Sequence, residues 1–153
     1  MIFQIPENET IEIKTIVLDL NGTLSVNGKI SKKTKEKIKI LKKLNYKIVL
    51  LSGDMRGTAQ KFAKDLNIEL IKAKNAKEKG KAIKKLNPKT CASIGNARID
   101  IETFKIAKIA IATMQAEGIH ATIIKHVDII TPTIENALNL FIDPNSFCAT
   151  MRK

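Results

Sequence analysis

The feature that most constrains this chain is an alternation of short β-branched apolar runs with longer stretches of helical periodicity. Continuous apolar runs of four or five residues are typical of strands buried on both faces. The predicted strands are Thr15–Leu18, Lys47–Leu51, Ile68–Ile71, Thr90–Ile94, Ile109–Ala112 and Val127–Ile130. Strands that alternate with helices favour a parallel sheet with helices on both faces. We therefore predict a three-layer, Rossmann-like α/β fold.

Apolar residues spaced three and four apart predict helices between these strands and after the last one. The predicted helices are Ser31–Leu44 with Ser31 as cap, Ala59–Leu66, Ala76–Leu86, Ile101–Ala107, Ala116–Lys125 and Thr133–Leu140. An N-terminal β-hairpin is predicted from Met1–Ile5 and Thr10–Ile13 around Pro6–Glu9. No linker or repeat interrupts the pattern, so residues 1–153 are expected to form a single domain.

The charge balance raises the question of a nucleic-acid partner, because 27 Lys and Arg stand against 15 Asp and Glu, a formal charge of +12. The lysines are spread over Lys32–Lys43 and Lys72–Lys89 rather than clustered in a known motif. Tyr46 is the only tyrosine and there is no tryptophan, so aromatic platforms for stacking bases are scarce. A lysine-rich surface is favoured over a dedicated nucleic-acid site, and the nucleic-acid binder is kept as the weakest alternative.

The N-terminus and the cysteines bear on where the chain functions. No stretch is apolar enough for a membrane span, and Met1–Pro6 lacks the basic and apolar regions of a signal peptide. Cys91 and Cys148 have no metal-binding or redox spacing. A cytoplasmic location and no membrane partner are expected.

Polar turns follow three of the predicted strands, at the edge of a parallel sheet where ligands bind. These turns are Asp19–Leu24, Ser52–Asp54 and Gly95–Asp100. If the strands are neighbours, Asp19, Ser52, Asn96 and Asp100 meet at one rim. A carboxylate at a strand tip can act as a phosphoryl-accepting nucleophile, two carboxylates can hold Mg²⁺, and hydroxyl and amide groups can bind phosphate.

This layout resembles the haloacid dehalogenase superfamily of phosphotransferases, and in particular the phosphorylation domain of P-type ion pumps and their small soluble relatives. The resemblance extends over roughly Ile16 to Ile130 and depends on the order and placement of four segments. The segments are Asp19–Leu24, Leu50–Asp54 followed by Thr58-Ala59, Lys79–Leu86 and Gly95–Asp100.

The resemblance implies a role for each matched residue. Asp19 is expected to be the nucleophile, with Lys79 neutralising the transferred group. The phosphate-binding residues are expected to be Ser52, Gly53, Thr23 and Lys79. A Mg²⁺ cofactor is expected to be held by Asp19, Asn21, Asn96 and Asp100, with Asn21 contributing its main-chain carbonyl.

The chain also departs from the superfamily pattern. Phosphatase members carry a second Asp, the general acid and base, where this chain has Asn21, and the pumps carry Thr there. A side-chain amide can neither donate nor accept a proton as a catalyst at pH 7. The loss of general acid–base catalysis typically lowers the rate by about 10²–10⁴-fold. Asn96 replaces a metal-binding Asp, Ala97 replaces Gly, and Ile99 replaces an Asn that helps to hold substrate. We therefore expect weak Mg²⁺ binding and slow turnover.

The short connections leave no room for a cap domain. Between Asp19 and Ser52 the chain has only a short flap with a tight turn at Asn27-Gly28 and one helix. A capless site is open, so the substrate is expected to be a phosphorylated small molecule or macromolecule, with a homo-oligomer as one way to cover the site. Two alternatives stay open: a degenerate, non-catalytic protein that binds a phosphorylated ligand or partner, and the nucleic-acid binder. His120 and His126 are interpreted as structural residues, and Asp54 as a helix cap.

Overall fold

A parallel β-sheet forms the centre of the computed structural model, which describes residues 1–7, 9–54, 57–115 and 117–153. The strands are β1 (Ile2–Gln4), β2 (Thr10–Glu12), β3 (Thr15–Leu18), β4 (Lys47–Ser52), β5 (Glu69–Lys72), β6 (Cys91–Gly95), β7 (Ile109–Thr113) and β8 (Ile129–Thr131). The α-helices are α1 (Lys32–Lys43), α2 (Thr58–Leu66), α3 (Ala76–Lys85), α4 (Ile101–Phe104), α5 (Ile134–Ile142) and α6 (Pro144–Met151).

The main sheet has six parallel strands in the order β5-β4-β3-β6-β7-β8, and β1 and β2 form a separate antiparallel pair. The strand β3 lies between β4 and β6, with Leu18 opposite Leu50 on one side and Ile94 on the other. The turns after β3, β4 and β6 therefore meet at one edge of the sheet.

Helices cover both faces of this sheet, as the alternating pattern predicts. On one face, Ile16 and Leu18 belong to the core cluster that includes Leu41 of α1 and Leu138 of α5. On the other face, Val17 packs in a cluster with Ile83 of α3. Successive residues of a strand point to opposite faces, so one fully buried strand supplies both cores.

The N-terminal cap of α1 links that helix to α5. The Ser31 hydroxyl accepts a hydrogen bond from the Thr34 amide and donates one to Glu135 Oε1 at 2.5 Å. The Thr34 hydroxyl donates to the same carboxylate oxygen at 2.7 Å. The predicted cap at Ser31 is thus present.

The turn of the flap also forms as predicted. Val26 and Lys29 exchange both main-chain hydrogen bonds, at 2.9 and 3.0 Å. Asn27 and Gly28 between them have φ values of 51° and 72°, the left-handed conformations that such a two-residue turn requires.

The region after β7 differs from the prediction. The predicted helix Ala116–Lys125 is wrong: its first residue lies outside the described part, and the helical structure that follows is a short 3₁₀ helix at Ala121–His126. Gly118 has φ +69°, a left-handed conformation that does not continue a right-handed helix. The last strand correspondingly begins at Ile129 rather than Val127.

Two other helices differ in extent. The helix predicted over Ile101–Ala107 ends at Phe104, and α6 was not predicted at all. Within the described residues, no helix has both the length and the apolar character needed to cross a bilayer.

Candidate active site

The turn that follows β3 places Asp19 at the carboxyl edge of the sheet. The Asp19 amide donates to the Ile94 carbonyl at 3.0 Å, which continues the β3–β6 ladder by one residue. The Leu24 amide donates back to the Asp19 carbonyl at 3.2 Å and closes a tight loop. Gly22 in this loop has φ +74°, and a Cβ there would lie 2.5 Å from Asn96 Nδ2, so both conformation and space favour glycine.

A buried lysine on α3 joins the two carboxylates of the site. The Lys79 ammonium donates to Asp19 Oδ1 at 2.5 Å and to Asp100 Oδ1 at 2.7 Å. The side chains of Lys79 and Asp100 are 2% and 3% exposed, whereas Asp19 is 12% exposed. Of these three side chains, Asp19 is therefore the most exposed to solvent.

The other oxygen of Asp100 is fixed by the main chain. Asp100 Oδ2 accepts hydrogen bonds from the Asn96 and Ala97 amides at 3.2 and 3.1 Å. A Cβ at Gly95 would lie 2.5 Å from this oxygen, so a side chain there would displace the carboxylate. Both oxygens of Asp100 are therefore hydrogen-bonded, one to the Lys79 ammonium and the other to the main chain.

The pKa values of Asp19 and Lys79 are both raised in this cluster. Burial, together with the Asp100 charge, raises the pKa of Asp19 to about 6, because a single ammonium shared by two carboxylates does not fully compensate. Burial alone lowers the pKa of Lys79, but the Asp19 and Asp100 carboxylates outweigh it, and the net direction is upward. Lys79 therefore stays charged, and Asp19 is more basic than an exposed aspartate.

On the side of the loop that faces β7, side-chain amides make the hydrogen bonds, and the Glu117 carboxylate lies next to Gly22. Asn96 Oδ1 accepts a hydrogen bond from the Thr23 hydroxyl at 3.2 Å, and Asn96 Nδ2 donates to the Gly118 carbonyl at 3.0 Å. Asn21 is exposed on the same loop. The structure thus gathers Asp19, Thr23, Asn96, Asp100 and Lys79 into one hydrogen-bonded group.

The β4 edge contributes the predicted phosphate loop beside this group. The Ser52 hydroxyl is buried and accepts a hydrogen bond from the Asp54 amide at 3.1 Å. The Asp54 carboxylate accepts from the Ala59 amide in the first turn of α2 at 2.7 Å, as expected of a helix cap. A Cβ at Gly53 would lie 3.0 Å from the Ala73 carbonyl, so this turn packs closely against the residue after β5.

Gln115 is a site residue that the sequence reasoning missed. Its Nε2 donates to the Thr23 and Gly22 carbonyls, and its Oε1 accepts from the Ile134 amide at 3.2 Å. It therefore ties the Asp19 loop to the start of α5. Gln115 lies two residues after β7. Because ligands bind beyond the carboxyl ends of parallel strands, this position could have indicated a site residue.

The two histidines lie outside the charged cluster. The His120 amide donates to the Asn96 carbonyl at 3.0 Å, and the His120 ring contacts the Thr122 hydroxyl at 2.8 Å. His126 ends the 3₁₀ helix Ala121–His126.

Comparisons with known proteins agree with this fold and with two of the loops at the carboxyl edge of its sheet. A family model described as haloacid dehalogenase-like hydrolase matches residues 16–76, which contain the Asp19 loop and the Ser52 loop. A search of curated protein sequences finds no significant match.

Solved structures match nearly the whole chain at low identity. Three of them show its extent. A cobalt-bound deoxy-D-mannose-octulosonate 8-phosphate phosphatase from Haemophilus influenzae is 16% identical with a TM-score of 0.73, over 88% of this chain and 90% of that one. The corresponding Moraxella catarrhalis phosphatase, in complex with magnesium, phosphate and KDO, is 20% identical with a TM-score of 0.73, over 90% and 92%. A putative haloacid dehalogenase superfamily hydrolase from Legionella pneumophila is 15% identical with a TM-score of 0.74, over 91% and 87%.

Over residues 16–76 the chain is similar to the haloacid dehalogenase-like hydrolases, and the solved structures share its fold. The predicted fold is thereby confirmed, and the family match over residues 16–76 agrees with the resemblance found in the sequence. The narrower likeness to P-type ion pumps and their soluble relatives stays a prediction.

The oxygen atoms at this edge of the sheet are of the kind that suits Mg²⁺. Within the described residues, no three His, Cys, Asp or Glu side chains group closely enough to hold a metal ion. Asp19, Asp100 and Lys79 together carry a formal charge of −1, which favours a cation. Asp19 and Asp100 carboxylate oxygens, the Asn21 carbonyl and the Asn96 amide oxygen are hard donors of the kind Mg²⁺ takes with several waters. These oxygen donors are therefore of the type that Mg²⁺ prefers, and only two of the four residues are negatively charged.

Proposed function

We propose that this protein is a Mg²⁺-dependent phosphate-monoester hydrolase, or phosphotransferase, that acts through a phosphoryl group on Asp19. The observation that carries the proposal is the buried Lys79 ammonium bonded to both Asp19 and Asp100. Burying an ammonium group costs free energy unless carboxylates pair with it. Here the paired Lys79 orients the partly exposed Asp19 carboxylate at the edge of the sheet where ligands bind.

The proposed reaction has two displacements at phosphorus. An Asp19 carboxylate oxygen attacks, a new P–O bond forms, and the bond from phosphorus to the leaving-group oxygen breaks. Water then attacks the aspartyl-phosphate, its P–O bond to Asp19 breaks, and inorganic phosphate leaves. The raised pKa of Asp19, about 6, leaves the carboxylate ionised at pH 7 yet more basic than an exposed one.

The phosphoryl oxygens would be bound by the groups that surround Asp19. These are Lys79 through its ammonium, Ser52 and Thr23 through their hydroxyls, and Gly53 through its amide. Mg²⁺, held by Asp19, Asn21, Asn96 and Asp100, would supply charge that keeps the anionic nucleophile and the anionic substrate from repelling each other.

Turnover is proposed to be slow because the loop lacks a second carboxylic acid. Asn21 can neither protonate the leaving group nor activate the water, so water itself supplies and accepts the protons. The expected deficit is about 10²–10⁴-fold relative to a site with a general acid and base.

The substrate and surroundings also belong to the proposal. The structural neighbours include phosphatases of an eight-carbon sugar phosphate, but at 15–20% identity they support the fold only. We infer a phosphorylated small molecule or macromolecule as substrate. The two cysteines carry free thiols, which supports a reducing, cytoplasmic setting, and self-association to cover the open edge is part of the same proposal.

The test is hydrolysis of p-nitrophenyl phosphate with Mg²⁺ by the wild type and by Asp19→Asn. The variant keeps the shape of the side chain but removes the nucleophile, so activity should fall at least about 10³-fold. Asp65→Asn, at an exposed position on α2, is the matched control and should retain wild-type activity. Equal activity in the wild type and Asp19→Asn would refute the assignment.

The engaged Asn96 side chain favours one second candidate, a non-catalytic protein that binds a phosphorylated ligand. Both ends of this amide are hydrogen-bonded, to Thr23 and to Gly118, where a catalytic relative has a charged metal ligand. Beryllium fluoride with Mg²⁺ separates the two functions. An active nucleophile forms the adduct and raises the melting temperature, whereas a site without a competent nucleophile shows no shift.

A further inference from the structure

A trough along β5 and α3 runs from the proposed phosphate loop across the adjacent surface. Its first part is a cleft of 160 Å³ lined by Ser52, Gly53, Lys72 and Lys74, among others. A second cleft of 310 Å³ shares Lys72 with the first and adds Lys81 and Lys85 of α3. We call these two clefts together the β5–α3 trough.

The main chain beneath the trough is firmly attached to the phosphate loop. The Ala73 amide donates to the Ser52 carbonyl at 3.0 Å, and a Cβ at Gly53 would lie only 3.0 Å from the Ala73 carbonyl oxygen. The Lys74 amide donates to Glu78 Oε2 at 2.7 Å, in the first turn of α3. These hydrogen bonds hold the main chain at Lys72 and Lys74 next to Ser52.

The trough carries an excess of positive charge. Four lysines line it, and its two carboxylates are Asp54 and Glu78, so its formal charge is 4 − 2 = +2. Both carboxylates accept hydrogen bonds from main-chain amides, and Glu78 also accepts one from the Asn75 side chain. In the described part of the chain, no ion pair joins any of the four lysines to a carboxylate.

The opposite flank of the site differs in charge. There a cleft of 330 Å³ is lined by Asn96, Arg98, Glu117 and His120, among others. Its one arginine is balanced by one glutamate, so its formal charge is zero with neutral histidine. Of the two flanks, the β5–α3 trough is the one that complements an anion.

We propose that the β5–α3 trough binds the leaving group of the substrate, and that this leaving group carries at least one further negative charge, such as a second phosphate or a carboxylate. The inference depends on the proposed function, because it assumes that the reacting phosphate sits at Ser52 and Gly53. Lys72 and Lys74 are then specificity-determining residues. Lys81 and Lys85 extend the same attraction to longer anionic leaving groups.

The test compares fructose 1,6-bisphosphate with fructose 6-phosphate, which differ by one phosphate group. At low ionic strength, kcat/KM of the wild type should be about fivefold or more higher for the bisphosphate, the effect of two exposed charge pairs. Lys72→Gln/Lys74→Gln should bring the two substrates close to parity, chiefly by lowering kcat/KM for the bisphosphate. Added salt should have the same levelling effect, because these pairs are exposed to solvent.

Two control variants fix the location. Lys39→Gln/Lys43→Gln removes the same charge from exposed positions of α1 and should keep the preference. Arg98→Gln removes a positive charge from the opposite flank and should also keep it. Loss of the preference in either control, or its survival in Lys72→Gln/Lys74→Gln, overturns the inference.

Binding to the Asp19→Asn variant separates this inference from the proposed function. Calorimetric titration of that variant with the two sugar phosphates needs no turnover. Tighter binding of the bisphosphate that disappears with the two trough lysines supports the trough even if hydrolysis is never seen. Equal affinity for both ligands overturns the trough even if the wild type is an active phosphatase.

Discussion

The two sides of the Asp19 loop are built from different chemistry. The side toward α3 is charged and buried: Lys79 bridges Asp19 and Asp100, and two amides hold the far oxygen of Asp100. On the side toward β7, which we call the amide side, the neutral side chains of Asn96, Thr23 and Gln115 hold the loop by hydrogen bonds, and the Glu117 carboxylate lies next to Gly22. In the proposed reaction, the charged side would capture the phosphoryl group, and Asn21 leaves the loop without the acid that would speed its release.

The largest expected effect comes from placing a carboxylic acid at position 21 of the loop. Asn21→Asp should raise the steady-state rate of p-nitrophenyl phosphate hydrolysis by about 10²–10⁴-fold, because it restores a group that can donate and accept a proton. The pH–rate profile of the variant should gain a new limb. The control is Asn27→Asp at the tip of the flap, which adds the same charge and should change the rate little. A rate that stays at the wild-type level would mean that proton transfer does not limit turnover.

Removing the positive charge from the charged side should cost the most stability. Lys79→Met keeps an unbranched side chain but leaves two buried carboxylates facing each other, which should lower the free energy of unfolding by about 3–5 kcal/mol in urea denaturation. Lys77→Met, at an exposed position on the same helix, should change stability by less than about 0.5 kcal/mol. If Lys79→Met does not fold, adding Asp19→Asn and Asp100→Asn should recover the fold, since no unpaired charge then remains. Full stability of Lys79→Met alone would contradict the role of the lysine.

The smallest effect is a pH dependence that belongs to the charged side alone. The pKa of Asp19 rises from an ordinary 3.8 to about 6 on folding, chiefly through burial, so between those values the folded protein holds a proton that the unfolded chain releases. Raising the pH through this window therefore destabilises the wild type, and above pH 6 the loss is complete. In metal-free buffer, Asp19→Asn should gain stability relative to the wild type across this window, by up to about 3 kcal/mol. A difference independent of pH would show that Asp19 ionises normally in the folded protein.

The fold was largely predictable because its signals are local. Thr15–Leu18 and Lys47–Leu51 are continuous apolar runs, and Ser31 precedes an amphipathic stretch, so strand, helix and cap each follow from a few neighbouring residues. The exception after β7 arose because apolar spacing alone suggested a helix, while the left-handed Gly118 interrupts it. The helix α6 was missed although Asp143-Pro144 is a cap followed by proline at the first helical position.

The site was less predictable because its contacts are long-range. Lys79 lies among many lysines between Lys72 and Lys89, and only the register of α3, which turns Lys79 inward with Gly80 and Ile83, singles it out in space. Gln115 acts on residues more than ninety positions earlier, and no local pattern reports such a contact. The chemistry of each strand end could be read from the sequence, whereas its hydrogen-bond partners could not.

The most direct test of the account is to look for the phosphoryl group itself. The protein is mixed with Mg²⁺ and p-nitrophenyl phosphate, quenched in acid, digested and analysed by mass spectrometry. The account predicts one added phosphoryl group on the peptide that contains Asp19, and none in the Asp19→Asn variant. Turnover with no phosphorylated peptide, or the same phosphorylated peptide in both proteins, would contradict it.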